Sequence, residues 1–291
     1  MATHETTPPV EKDDVAHTTG HTATGPNGAQ AAARYDYGGN PLFHAHAGNE
    51  GRLPAFGGEF QPGLYRPTEH RKFANPAPLG LSAFALTTFV LSCVNLGARG
   101  VSTPNIAVPL AFGYGGLVQL LAGMWEMAVG NTFGATALSS YGGFWIAYGI
   151  LLTPNWGLHD VYVKAGGTSD PNQWNSVLGF FLTGWFIFTT ILLLCTLRST
   201  VMFFMLFFTL DLAFLMLACS DYAANNGAAS SSKTLQKAGG GFGMLAAFLA
   251  WYNAFAGIAD TSNSFFIIPV FHFPWSDKGR EARVKTERET A

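Results

Sequence analysis

Charge is what this sequence has least of. Only 12% of its 291 residues are Asp, Glu, Lys or Arg, roughly half the share of about 25% usual in soluble domains. A chain so poor in charge cannot dress a globular surface in water. Cysteine is scarce as well. Cys93, Cys195 and Cys219 each sit inside a strongly apolar run, which excludes a disulfide framework and a metal cluster and leaves them as small buried hydrophobes. No Ser/His/Asp, Cys/His or metal-ligand grouping occurs at a workable spacing, so neither an enzyme nor a bound cofactor is expected. The formal net charge of −2 identifies no partner, and none of nucleic-acid type is expected. An apolar leader is missing from Met1 to Asp14, so insertion is expected to be directed by an internal span.

Apolar surface is abundant: 48% of residues are hydrophobic, 14% aromatic including 25 Phe, and there are 34 Gly, with a mean hydropathy of +0.21. Such a surplus needs lipid to face, and glycine lets spanning helices approach closely. Residues 1–73, rich in Thr, Ala, Gly, Pro and His, carry no apolar period and read as a disordered cytoplasmic tail. Its histidines, His4, His17, His21, His44, His46 and His70, have no fixed partner set and receive no role. Uncharged runs then predict six membrane-crossing helices: Leu79 to Leu96, Ala111 to Met124, Ala135 to Leu152, Val177 to Leu197, Val201 to Cys219 and Gly239 to Ile258. Arg198-Ser199-Thr200 reads as a tight reversal and Ser220 to Lys237 as a polar loop. Phe265 to Trp275 suits the interface, and residues 276–291 read as a charged cytoplasmic tail. The expected fold is thus an all-α integral membrane protein with its six-helix membrane domain over residues 74–275. Arg66, Arg71, Lys72 and Arg198 with the basic C-terminal end outweigh Arg99, Lys164, Lys233 and Lys237, which places both termini in the cytoplasm.

Polar residues inside such a chain are the candidates for function. Asn75-Pro76-Ala77-Pro78 opens the first span with a preferred N-cap and a proline at the first helical position. That is a helix cap, and its free amides and positive dipole end also suit a carboxylate. Glu126, with no basic neighbour nearby in sequence, ends the second span. An unpaired acid at membrane depth costs about 2.5 to 3.5 kcal/mol on insertion scales, so it is a candidate proton carrier beside the alternative of a solvated interfacial glutamate. Asp211 ranks behind it, as a proton carrier or a helix–helix hydrogen-bonding group. Thr87, Thr88, Asn95, Gln119, Asn131, Tyr141 and Asn253 either bond neighbouring helices or together line a polar path. Gly130-x-x-x-Gly134 and the Gly239–Gly243 run are read as helix contacts.

The stretch Asn75 to Leu81, NPAPLGL, resembles the signature of the acetate uptake transporter family, which includes bacterial succinate-acetate permeases and fungal acetate permeases also linked to ammonia export. Gly130-Asn131-Thr132-Phe133-Gly134 and Ser140-Tyr141-Gly142-Gly143-Phe144-Trp145 are similar to its second block. Ala247 to Ala254, AFLAWYNA, resembles the last helix of the fungal branch. The resemblance spans about residues 65–275. It implies six spans, a hexameric ring of protomers with a path through each, and an apolar constriction that falls here on Phe84, Tyr141 and Leu210. Such a dry ring favours the neutral acid and opposes ion leakage.

Residues and resemblance together give an expected function: transport of acetate and similar small monocarboxylates across the plasma membrane, with protons as the coupled partner. Asn75, Pro76, Thr87, Gln119, Glu126 and Asn131 are the expected path residues. Ammonia export and an acetate-permeable anion channel are alternatives within transport. A sensor of acetate that signals through its tail is the alternative of another class.

Overall fold

The computed structural model describes residues 73–163, 173–259 and 263–290. The N-terminal tail, its histidines and the basic residues before Phe73 lie outside them, as do Lys164 and Asp170. Among the described residues, six helices are long and apolar enough to cross a membrane. They are α1 (Ala77–Leu96), α2 (Pro104–Ala128), α3 (Thr132–Leu152), α4 (Gln173–Cys195), α5 (Val201–Asn225) and α6 (Ala229–Ile258). A seventh helix, α7 (Asp277–Thr290), follows. No extended strand occurs among the described residues, only an isolated antiparallel bridge between Thr200 and His272.

Helical segments at the ends run longer than apolarity alone suggests. α5 extends past Cys219 to Asn225, and α6 begins at Ala229, so the expected polar loop Ser220 to Lys237 shrinks to a short turn closed by Gly227 at φ 75°. Water-facing turns of a helix need no apolar residues, only helix formers such as Ala, Gln and Lys. The expected charged C-terminal tail is likewise helical in α7, and Phe73 to Pro76 leads straight into α1. Gly130 is no helix contact. At φ 85° it makes the left-handed turn between α2 and α3, while its partner in the motif, Gly134, packs inside α3.

Neighbouring helices follow one another around the bundle as α3, α2, α1, α6, α5 and α4. The circle closes where the Tyr141 hydroxyl of α3 meets Thr189 Oγ1 of α4 at 2.9 Å. Glycine sets the tightest seams. A methyl group on Gly142 would stand 2.7 Å from the Leu120 backbone nitrogen and 2.9 Å from the Gly116 carbonyl oxygen, so α2 and α3 touch backbone to backbone. Replacing Gly142 by alanine is therefore expected to lower the stability of the detergent-solubilised protein by about 1–3 kcal/mol, the usual range for overpacking. A thermal unfolding curve checks it, and an unchanged midpoint would show that the seam can open. In α6, Gly240 and Gly243 face Asn95 and Ser92 of α1, while Gly239 faces Leu217 of α5.

α2 is not one regular helix. Residues Gly113–Val118 form a π turn between two α segments, the kind of irregularity that recurs at functional sites. Two glycines permit it: a methyl on Gly115 would strike the Thr87 side chain, and one on Gly116 would strike the Ala111 carbonyl oxygen at 2.2 Å. Gln119 is the first residue past this turn.

Candidate transport path

Two adjoining cavities lie inside the bundle among the described residues. The first, about 370 Å³, reaches from Ala77 at the start of α1, Asn131 at the start of α3 and Arg198 in the α4–α5 turn down to Phe84, Tyr141 and Leu210. The second, about 140 Å³, starts from Phe84 and Leu210 and runs the other way, to Asn95 at the end of α1, Asp221 on α5 and Gln236 on α6. Phe84 and Leu210 line both cavities. Phe84 and Leu210 thus stand where the two cavities adjoin, and Tyr141, which lines the first, lies beside Phe84. All three are buried at 5%, 3% and 5% exposure for Phe84, Tyr141 and Leu210. The Phe84 and Tyr141 rings stand 6.0 Å apart, and Phe214 stacks on Tyr141 at 6.5 Å. Tyr141 turns its polar end away to Thr189, so the junction presents carbon.

Gln119 borders the first cavity. It is fully buried, and neither its Oε1 nor its Nε2 has a hydrogen-bond partner. A buried unpaired polar atom costs about 1–3 kcal/mol, so Gln119 stands out as a bare primary amide beside the first cavity. Asn131 also lines this cavity. Its Oδ1 accepts the Gly134 N–H at 3.0 Å as the cap of α3, and its Nδ2 donates to Glu126 Oε2 at 2.6 Å. Glu126, 2% exposed, stands behind Asn131 and does not itself line either cavity.

Other expected path residues lie elsewhere. Thr87 packs on Gly115, returns its hydroxyl to the Ala83 carbonyl at 2.9 Å, and lines neither cavity. Its neighbour Thr88 lines the second instead, with its hydroxyl buried and unpartnered, as does the unpartnered Trp145 indole N–H. Asn75 is exposed and is not the N-cap: Pro76 holds that position. The Asn75 Oδ1 accepts the Ala77 N–H at 3.1 Å. With Pro76 and Pro78 lacking donors, Leu79 alone in this opening turn keeps a free amide, so the helix start offers an anion little. Asp211 accepts a bond from Thr190 Oγ1 at 2.9 Å, joining α5 to α4 as a helix–helix group, while Asn253 bonds its own helix at Leu249.

Residues 56–275 match the GPR1/FUN34/yaaH family. The chain belongs to that family. It is 66% identical over 258 residues to acetate permease A of Emericella nidulans, covering 89% of this chain and 85% of that one. It is 49% identical over 224 residues to ammonia transport outward protein 2 of Saccharomyces cerevisiae, covering 77% and 75%. The succinate-acetate/proton symporter SatP of Escherichia coli is 39% identical over 155 residues, 53% of this chain and 76% of its own. A solved structure of the bacterial acetate channel SatP superposes with a TM-score of 0.57 at 32% identity, covering 68% of this chain and 99% of that one. Membrane transport is the activity these GPR1/FUN34/yaaH members are named for.

Sequence reasoning overlooked two charged residues that line these cavities. Arg198, counted only as a loop charge, lines the mouth of the first cavity and donates to Asp277 Oδ1 of α7 at 2.9 Å. Asp221, assigned to the polar loop, lines the second cavity. Continuing the helical period of α5 past Cys219 would have put Asp221 in line with Phe214 and Leu210.

Proposed function

We propose that this chain carries acetate and similar small monocarboxylates across the plasma membrane as their neutral acids, and so together with a proton, through a path in each protomer. The observation that carries the reading is the pair of cavities that share Phe84 and Leu210, with Tyr141 lining the first beside them. An apolar junction of this kind dewets and rejects ions while passing a small neutral molecule. At pH 7 an acid near the carboxyl reference of about 4.3 has only roughly one molecule in 500 neutral, so each passage consumes a proton. Arg198 gathers the anion at the first mouth, and Gln119 reads the acid: its amide donates to the acid carbonyl and accepts from the acid O–H. Turning that amide toward the cavity needs only its broad terminal torsion. A carboxylate, which only accepts, leaves the Gln119 oxygen unmatched.

Asn131 shapes the first cavity, and Glu126 fixes the Asn131 amide. Arg198 and the basic residues of α7 sit at the same end of the bundle, which supports a cytoplasmic position for that end. α4 and α6 have the least of their apolar windows covered within the chain, 22% and 28%, and leave area for neighbouring copies in a hexamer. Purified protein in liposomes is expected to take up labelled acetate, faster under an inward proton gradient. No uptake at all would overturn the reading, and uptake indifferent to the gradient would make the path an anion channel. Ammonia export is the second reading, favoured by the name of the yeast relative. Ammonia lacks the paired C=O and O–H that a carboxamide matches, and saturating acetate uptake unaffected by ammonia would count against it.

A further inference from the structure

The two cavities differ in charge. Arg198 is the charged residue lining the first, and Asp221 the charged residue lining the second. Asp221 is partly buried, and its carboxylate has no hydrogen bond or ion pair among the described residues. Of the elements around it, α3 contributes the Tyr148 hydroxyl. α4 contributes Leu178, Phe181 and Leu182, none of which titrates, and α1 contributes Ser92 and Asn95. On α6, Lys233 and Lys237 are exposed and outside the lining, where Gln236 stands at the mouth. On α5 itself, the neighbouring Tyr222 bonds Thr183 at 2.9 Å, and Cys219 lies outside the lining.

We propose that Asp221 is the proton-exchange group of the second cavity, which lets a monocarboxylate enter there only in company with a proton. The inference rests on the transport reading above and deepens it. Two carboxyl groups within hydrogen-bond distance cannot both stay ionised, because like charges so close repel in a poorly hydrated space. They share one proton, and the pair titrates as a unit. An incoming carboxylate therefore meets a protonated Asp221. The Asp221 O–H bond breaks, the proton passes to the carboxylate oxygen, and the neutral acid moves on to the dry junction. Asp221 is left as the carboxylate and recovers its proton from water at the Gln236 mouth. In the reverse direction the emerging acid gives its proton to an ionised Asp221 and leaves as the anion, and Asp221 returns that proton to water at the Gln236 mouth. On the topology proposed above this cavity faces away from the cytoplasm, so Asp221 meets the solute at entry.

Neutral acid is plentiful near pH 5 and scarce near pH 7.5, which decides where the group matters. With full-length protein in proteoliposomes and labelled acetate, Asp221→Asn is expected to transport at nearly the wild-type rate at about pH 5. At about pH 7.5 it should fall to roughly one tenth of wild type, and Asp221→Glu should restore the rate. A merely structural role lowers uptake by the same factor at both pH values, and that result, or failure of the glutamate to restore uptake, would overturn the proposal. Gln236→Lys gives an independent route through an exposed position that tolerates substitution. A cation there pairs with Asp221 and keeps it from holding a proton, so the same pH-dependent deficit supports the role and an unaltered profile refutes it. Wild-type protein that takes up no acetate would instead sink the transport reading itself.

Discussion

Gln119→Leu is expected to make the protein more stable and a poorer transporter at once. Leucine has nearly the volume of glutamine, so the walls of the first cavity keep their shape. It removes two polar atoms that are buried without partners, each of which costs about 1–3 kcal/mol. On the proposed reading it also removes the donor and the acceptor that the amide offers to the neutral acid. Two neutral hydrogen bonds at about 1 kcal/mol each amount to about 2 kcal/mol, which is roughly thirtyfold in acetate uptake at subsaturating concentration. Thermal unfolding in detergent and initial uptake rates in liposomes, taken on the same preparation, check the two signs together. A variant that is less stable would mean that Gln119 is satisfied in the folded chain. One that transports as before would remove it from the path.

Opening the junction is expected to produce the other large effect. Phe84→Ala, or Leu210→Ala from the opposite wall, removes side chains shared by both cavities and joins the two chambers into one water-filled passage. An ion then crosses without shedding its hydration shell. Acetate flux should become sensitive to membrane potential, lose most of its dependence on pH, and be accompanied by a chloride leak at least tenfold above wild type. Large-to-small changes in a packed core cost about 2–5 kcal/mol. Here part of that is offset because water from the adjoining chambers fills the gap. Potential-driven chloride flux in liposomes is the measurement. A variant that still excludes chloride and keeps the wild-type pH profile would show that the seal lies elsewhere, with Phe207 or Phe214 the next rings along the path.

The two substitutions probe separate barriers. On the proposed reading Gln119 acts on recognition of the acid, and Phe84 on the exclusion of ions. If both act as described, Gln119→Leu lowers uptake while leaving its pH dependence steep, and Phe84→Ala flattens that dependence. The pH profile therefore separates them even where both rates fall.

Six spans were legible in the sequence because a bilayer imposes one rule on every segment: about 20 uncharged residues to cross, with charge at the ends. NPAPLGL and the block around Tyr141 carried the family resemblance for the same reason, being runs of local sequence. What sequence could not place were groups whose neighbours are distant in the chain. Glu126 reads as a lone acid at a span end, yet folding seats it behind Asn131 across the Gly130 turn, out of the cavity. Thr87 and Thr88 are indistinguishable by type, and only helix rotation sends one to Gly115 and the other to the second cavity.

Composition and spacing by themselves determined that this chain lives in lipid and how many times it crosses, since these follow from hydrophobicity residue by residue, whereas the turns at Gly130 and Gly227 do not. Only the tertiary structure decided that Phe84 and Leu210 from two helices border both chambers, with Tyr141 of a third helix packed beside them. The π turn before Gln119 and the glycine seams at Gly142 and Gly240 set how closely those helices approach. Close approach of backbones determines which side chains face inward.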